Sequence, residues 1–204
     1  MPSCPGTPPQ RRPGRLQAAL RSSCTARRCR LSENEAVTEP RIEFVRLSEV
    51  SVLEVLDVLN ESRNGRHLPL AGERFTEASA GEWVTAKDGQ WEVHGYGPWA
   101  VRVDGEFAGW GGFQQEENGA DFALVLKPTH WGYGAAVTGA ALHRGFTELG
   151  LETVLIALPY TRNPDRVVAR FGFEPDGEVD YGGTPFRQYR LDRDAWLDAS
   201  HRQR

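Results

Sequence analysis

The chain has 204 residues, enough for one ordinary domain, and its 39% hydrophobic and 25% charged residues place it among globular proteins. No run of about 18 apolar residues occurs, so no membrane span is expected. The net charge of −4 hides an uneven distribution: residues 1–30 hold seven arginines and no acid, leaving 17 basic against 28 acidic residues in the rest. An acidic body is a poor nucleic-acid binder, because phosphate neutralisation drives such binding, and it suits a cationic amine better.

Residues 1–39 are rich in Arg, Pro and Ser and lack hydrophobic periodicity, which predicts a disordered extension. Such a start is compatible with a transit peptide, with an RNA-touching tail, or with a start codon assigned too far upstream; a secretory signal would need an apolar region that is missing. Cys4, Cys24 and Cys29 all fall in this segment. The domain expected over 40–196, with a tail at 197–204, therefore has no disulfide framework or thiolate site, and a reducing, cytoplasmic compartment is expected. His67, His94, His130 and His143 form no i, i+4 pair, so no metal centre is expected.

Ile42, Phe44 and Val45 predict a first strand. Val52, Leu53, Val55, Leu56 and Leu59 then fall at helical spacing, with Ser48 or Ser51 as cap and a break at Asn64-Gly65. A second helix is predicted from about Ser79 to Val93, its inner face carrying Trp83 and Val84. Asp104-Gly105 marks a hairpin turn. The strand after it contains Gly109, Gly111 and Gly112, too many for ordinary strand packing, which predicts a bulge or a close backbone approach. A strand through Phe122, Leu124 and Leu126 stops at Pro128, a helix follows to about Glu148, and then come a buried strand at Val154 to Leu158, a short helix and two closing strands. This order predicts an α+β fold with one mixed, strongly twisted sheet of six or seven strands and helices on both faces.

The junction after the Leu126 strand is the chemically informative place. In Trp131-Gly132-Tyr133-Gly134-Ala135-Ala136 the glycines can take positive φ, and the small residues let a ligand approach the first helical turn. Unpaired N–H groups and the helix dipole favour a phosphate there, the dipole alone contributing roughly 0.3–1 kcal/mol. A plain tight turn would use the same residues. No Lys-Ser or Lys-Thr pair closes the loop, and the glycines miss the dinucleotide spacing, so nucleoside triphosphates and dinucleotides are disfavoured. A backbone cradle without a metal-binding hydroxyl suits a metal-free pyrophosphate such as that of coenzyme A.

Here the chain resembles the GNAT superfamily of acyl-CoA-dependent N-acetyltransferases, in its ribosomal-protein (Rim-like) branch. The family loop R/Q-x-x-G-x-G/A is similar to Trp131 to Ala136, and Phe171-Gly172-Phe173 resembles the family's K-x-G-F ending. The likeness spans about Ile42 to Asp192. It implies strands four and five splayed apart around the thioester, with acetyl-CoA as co-substrate and no metal. It also implies pantetheine pairing with the backbone of Leu124, Val125 and Leu126, pyrophosphate at Trp131, Gly132, Tyr133, Gly134, Ala135 and Ala136, and an oxyanion contact near the Leu126 N–H. Asp121 aligns with the acidic residue many relatives carry at the start of the fourth strand and is the leading base candidate; Glu116 and Glu117 are alternatives, expected to be exposed beside the Asn118-Gly119 turn.

The chain departs from the family at its next motif, where Thr161 and Pro164 stand in place of Asn and Ser, with Asn163 as a substitute for the amide. Val168 occupies the usual general-acid tyrosine position, leaving Tyr181 or Tyr160 as substitutes. Trp83, Trp91, Tyr96, Trp99 and Trp110 are aromatic pocket candidates. The reading is an N-acetyltransferase acting on a protein N-terminal α-amine or a small-molecule amine, working as a monomer or homodimer without nucleic-acid or membrane partners. A non-catalytic acyl-CoA-binding module is the alternative.

Overall fold

The computed structural model describes residues 39–65 and 74–202. The expectations for residues 1–38, including the three cysteines, and for His67 lie outside them. Alternation of apolar and small or polar residues produces seven strands: β1 (Ile42–Arg46), β2 (Pro98–Val103), β3 (Glu106–Glu116), β4 (Gly119–Leu126), β5 (Thr153–Pro159), β6 (Glu174–Tyr181) and β7 (Thr184–Asp192). They form one sheet in the order β1-β2-β3-β4-β5-β7-β6. Every neighbouring pair is antiparallel except β4 and β5, which run parallel and share a single register pair, Asp121 with Leu155. Beyond that pair the two strands are no longer paired, so the sheet opens at its centre.

The helices described are α1 (Val52–Leu59), α2 (Ser62–Gly65), α3 (Glu77–Asp88), α4 (Gln90–His94), α5 (Gly134–Thr147), α6 (Asp165–Phe171) and α7 (Arg193–Arg202). Of the two caps considered, Ser51 is the one used, accepting from the Leu53 N–H at 3.3 Å. The first helix ends at Asn60 rather than at Asn64-Gly65, which belong to α2 instead. The second predicted helix is two, divided at Gly89. Helix α7 continues past residue 196, where the sequence reading places the start of a tail, and Trp196 packs near Phe146 and Phe171.

Strand alternation sorts the core onto two faces. Phe113 and Phe122 meet Leu142 and Phe146 of α5, while Trp110 and Val125 meet Val55, Val58 and Val84 of α1 and α3. The glycines of β3 do what was expected of them. Gly109 (φ +151) and Gly112 (φ +142) hold a conformation that L side chains rarely adopt, and the β2–β3 register shifts between Val101 and Arg102. A Cβ on Gly109 would collide with the Val125 carbonyl oxygen. Gly109→Ala is therefore expected to destabilise the protein by roughly 2–4 kcal/mol, read from urea midpoints; a loss within experimental error would show that the bulge relaxes freely.

Candidate active site

The central opening is flanked by a cavity on each face of the sheet. On the α3 side lies a chamber of ≈ 280 Å³. Strand β3 sends Trp110, Gln114 and Glu116 to this face, and β4 sends Asp121, Ala123 and Val125, with Gln114 directly opposite Asp121 in register. Lys87 from the end of α3, Arg162 from the segment after β5 and Tyr181 at the end of β6 complete the wall. On the α5 and α6 side a larger groove of ≈ 860 Å³ runs over Trp131, Gly132, Gly134, Ala135, Asn163 and Arg170. Phe122, Leu124, Leu158 and Arg162 line both cavities, so the two meet at the gap between β4 and β5.

Asp121 is 9% exposed and accepts the Ala157 N–H. Burial, reinforced by the Glu116 charge, pushes its carboxyl up to about 7, against the opposing effects of the Ala157 hydrogen bond and Lys87. The Tyr181 hydroxyl is also pushed up, first by burial and then by Asp121 and Glu116, so it stays protonated at neutral pH. Burial lowers the pKa of Lys87, which hydrogen-bonds to Gln114 Oε1. The indole Nε1 of Trp110, edge-on to Trp83 at 4.9 Å, is buried without a hydrogen-bond partner among the described residues.

The raised Asp121 pKa has a stability consequence. Between the ordinary carboxyl value of 3.8 and about 7 the folded state holds a proton that the unfolded chain has released, so stability falls as pH rises through this window. Asp121→Asn removes this penalty. The variant is expected to match wild type near pH 4 and to exceed it above pH 7 by up to about 4 kcal/mol. Equal melting temperatures at pH 8 would show that the carboxylate is better solvated than its burial implies.

The groove is open at the loop where the sequence reading expects a pyrophosphate. A Cβ built on Gly132 or Gly134 meets no atom within 4 Å, so these positions leave open space beside the start of α5. The reason differs from the one expected, because neither glycine has positive φ. Residues Pro128–Tyr133 form a 3₁₀ helix leading straight into α5, and the Gly134 N–H is already donated to the Trp131 carbonyl. The glycines supply room rather than unusual conformation. Trp131 is half exposed along the groove, and its Nε1 donates to the Leu126 carbonyl at 3.1 Å, which also accepts from Asn64 Nδ2 at 3.3 Å. That carbonyl points away from β3, whose Ala108 carbonyl takes the Lys127 N–H instead.

Most of the sequence-predicted residues converge here. Leu124, Val125, Leu126, Trp131 and Gly134 line a further pocket at the gap, of ≈ 280 Å³, and Ala135 and Ala136 line one against α7. Asn163 lies in the groove, with its Oδ1 accepting the Asp165 N–H at 2.9 Å. Tyr133 lines none of these cavities; it packs against the apolar cluster around Val137 and stacks near His130. Among the aromatic candidates only Trp110 reaches the chamber, since Trp91 and Trp99 belong to the core beside Phe113. Tyr160 is exposed and bonded to Glu178. Glu116, expected to be exposed, is half-buried in the chamber, while Glu117 is exposed.

Lys87, Gln114 and Arg162 were not anticipated. For Gln114 a signal existed, because a hairpin tight enough to pair Glu116 with Gly119 brings Gln114 opposite Asp121. Lys87 and Arg162 arrive from other elements and carry no local mark.

A mixed sheet parted between two parallel central strands, with a groove at the helix after the first, is the arrangement that the resemblance to the acetyltransferases implies. The family model described as an acetyltransferase (GNAT) domain matches residues 41–174, and the chain belongs to that family. No curated protein sequence matches. Among solved structures, a GNAT-family acetyltransferase of Bordetella pertussis aligns at 19% identity and TM-score 0.58, covering 74% of this chain and 95% of that one. The aminoglycoside acetyltransferase AAC(6')-Ib in complex with coenzyme A aligns at 15% identity and TM-score 0.62, covering 79% and 99%. A chimera built on the spermidine N-acetyltransferase SpeG of Vibrio cholerae aligns at 13% identity and TM-score 0.56, covering 78% and 98%. At these identities the likeness is one of fold.

Proposed function

We propose that the protein is an acetyl-CoA-dependent N-acetyltransferase that acetylates a primary amine by direct attack on the thioester. The observation carrying this reading is the meeting of groove and chamber at the β4–β5 gap, with Asp121 buried on the chamber side. Acetyl-CoA would supply the acyl group as a thioester whose thiol, with a pKa near 8.5, leaves readily. Gly132 and Gly134 leave room for its pyrophosphate beside Ala135, which lines the same groove, and the Leu124 to Leu126 edge of β4 is the expected partner of pantetheine.

The remaining work falls to the chamber. An ammonium must lose a proton before attack, which costs about 1 kcal/mol for an α-amine at pH 7 and about 4–5 kcal/mol for a lysine-like amine. Asp121, with a pKa of about 7, matches the demand on a base working at neutral pH. Tyr181 keeps its proton and can give it to the departing thiolate, filling the role that Val168 cannot. As the amine nitrogen bonds to the carbonyl carbon, the C–S bond breaks and the thiolate takes its proton from Tyr181. The second proton of the attacking nitrogen restores the Tyr181 hydroxyl, and an amide and a thiol are left with Asp121 holding the first proton.

The Trp131 to Ala136 loop supports placement in the ribosomal-protein branch, with a protein N-terminal α-amine or a small amine as acceptor. The missing tyrosine at Val168 favours the alternative of a non-catalytic acyl-CoA-binding module, and one experiment separates the two. Acetyl-CoA at a hundredfold excess over its Kd is expected to stabilise the protein by about 2.7 kcal/mol, seen as a raised melting temperature. Thiol release on adding amines then identifies the enzyme. Stabilisation without thiol release from any amine or peptide supports the binding module, and no shift with either acetyl-CoA or CoA removes both readings.

A further inference from the structure

At the open end of β4 one backbone carbonyl is held twice. The Lys127 N–H donates to the Ala108 carbonyl of β3 at 2.7 Å, and because a peptide unit is planar and trans, the Leu126 carbonyl of that same unit points the opposite way. In an extended strand the N–H and C=O of one residue face the same side, so the Leu126 N–H points away from β3 as well. On that side β5 pairs with β4 only at Asp121 and Leu155, so both Leu126 groups face the gap. They are not equally available to a ligand there. The carbonyl, with two lone pairs, accepts from Trp131 Nε1 at 3.1 Å and from Asn64 Nδ2 at 3.3 Å. Asn64 comes from α2, 62 residues away in the chain, is only 8% exposed, and lines the gap pocket with Leu124, Leu126, Trp131 and Gly134.

We infer that Asn64 and Trp131 are positioning residues for acyl transfer, which saturate the Leu126 carbonyl so that the Leu126 backbone offers the gap a donor and no acceptor. This rests on the acetyltransferase reading and adds to it the side chains that prepare its acyl-oxygen site. Left unheld, the carbonyl would face the same space as its own N–H. It would repel a thioester oxygen that gains negative charge during attack, and it would accept a pantetheine N–H in a shifted register. Two donors aimed at it blunt its negative end and remove that competing register. The acyl oxygen is left with the Leu126 N–H as its partner, and Leu124, two residues earlier on the same side of the strand, supplies the nearest strand carbonyl for pantetheine. Packing alone does not call for an amide at position 64, since leucine is of similar size and a buried amide costs stability unless it is bonded.

Acetyl-CoA and S-ethyl-CoA, a thioether of nearly the same shape that lacks the carbonyl oxygen, separate this role from a merely structural one. Calorimetry on the wild-type protein is expected to show acetyl-CoA binding about three- to tenfold tighter, the contribution of one neutral hydrogen bond. Asn64→Leu and Trp131→Phe each remove one donor to the carbonyl and should bring this ratio toward one, whatever either does to the affinity for both ligands together. The same variants should lower kcat roughly tenfold at saturating acetyl-CoA. That is less than the hundredfold or more expected for removing an oxyanion donor itself, because the N–H remains. Trp131 is half exposed, so its phenylalanine variant tests the contact even if Asn64→Leu folds poorly, which melting temperatures report. A wild-type ratio near one overturns the inference while the acetyltransferase reading stands, and so does a ratio, or a kcat, that neither substitution alters. Failure of the wild-type protein to bind acetyl-CoA overturns both.

Discussion

Asp121→Asn is expected to lower kcat by about a hundredfold or more at pH 7 and below with an amine of high pKa, the usual contribution of a positioned general base. Below pH 7 wild type and variant both gain rate as pH rises, one through ionisation of Asp121 and the other through neutral amine supplied by solvent, so the deficit is constant there. Above about 7 the wild-type carboxylate is fully ionised and its profile levels, while the variant continues to climb toward the amine pKa. The deficit therefore shrinks with pH, and it is smaller throughout for amines of low pKa. The measurement is a pair of pH profiles between about pH 6 and 9 with two acceptors of different basicity, CoA affinity being checked in each protein. Parallel profiles with equal rates would reduce Asp121 to a buried structural carboxyl and leave alignment of the reactants as the source of rate. The substitution is informative because its effects on rate and stability have opposite signs at pH 8.

Cofactor binding offers the second large effect. Gly134→Val and Ala135→Asp are each expected to weaken CoA binding at least a hundredfold without unfolding the protein. Gly134 is helical at φ −52, and a Cβ there meets no atom within 4 Å, so valine enters open groove and not a packed core. Valine is also a slightly better helix former than glycine, so the apo melting temperature should not fall. What valine does is fill the space left for a ligand. Ala135→Asp acts by charge, setting a carboxylate where a pyrophosphate is expected and opposing the field that the start of α5 provides. Calorimetry with CoA on variants of unchanged melting temperature decides the matter. Unaltered affinity in both would move the cofactor out of the groove that Trp131 and Ala135 line.

Much of this molecule was legible before any tertiary information. The alternation through Phe122, Leu124 and Leu126, the stop at Pro128 and the small residues from Gly132 to Ala136 are local signals, and they located β4, α5 and the groove between them. Gly109 and Gly112 announced a backbone distortion that the β2–β3 register shift realises. Where local reading went astray, a longer-range contact had the deciding part. Asn64-Gly65 reads locally as a helix break, but the Asn64 side chain reaches across to the Leu126 carbonyl. The loop glycines read locally as conformational devices, but a 3₁₀ turn joined to α5 needs only their lack of side chains.

What the amino-acid order determined by itself is therefore the kind and sequence of elements, because periodicity, capping and turn chemistry act over a few residues. The composition of the chamber was decided only by the tertiary structure. Lys87 ends a helix, Gln114 and Asp121 face each other across a hairpin, Arg162 follows β5 and Tyr181 closes β6; the register of the sheet and the packing of α3 against it bring them together. The same holds for the raised pKa of Asp121. A carboxylate near the start of a strand is ordinary in sequence, and what brings its pKa to about 7 is the loss of water around it and the nearby charge of Glu116, both consequences of how distant segments close over one end of the gap.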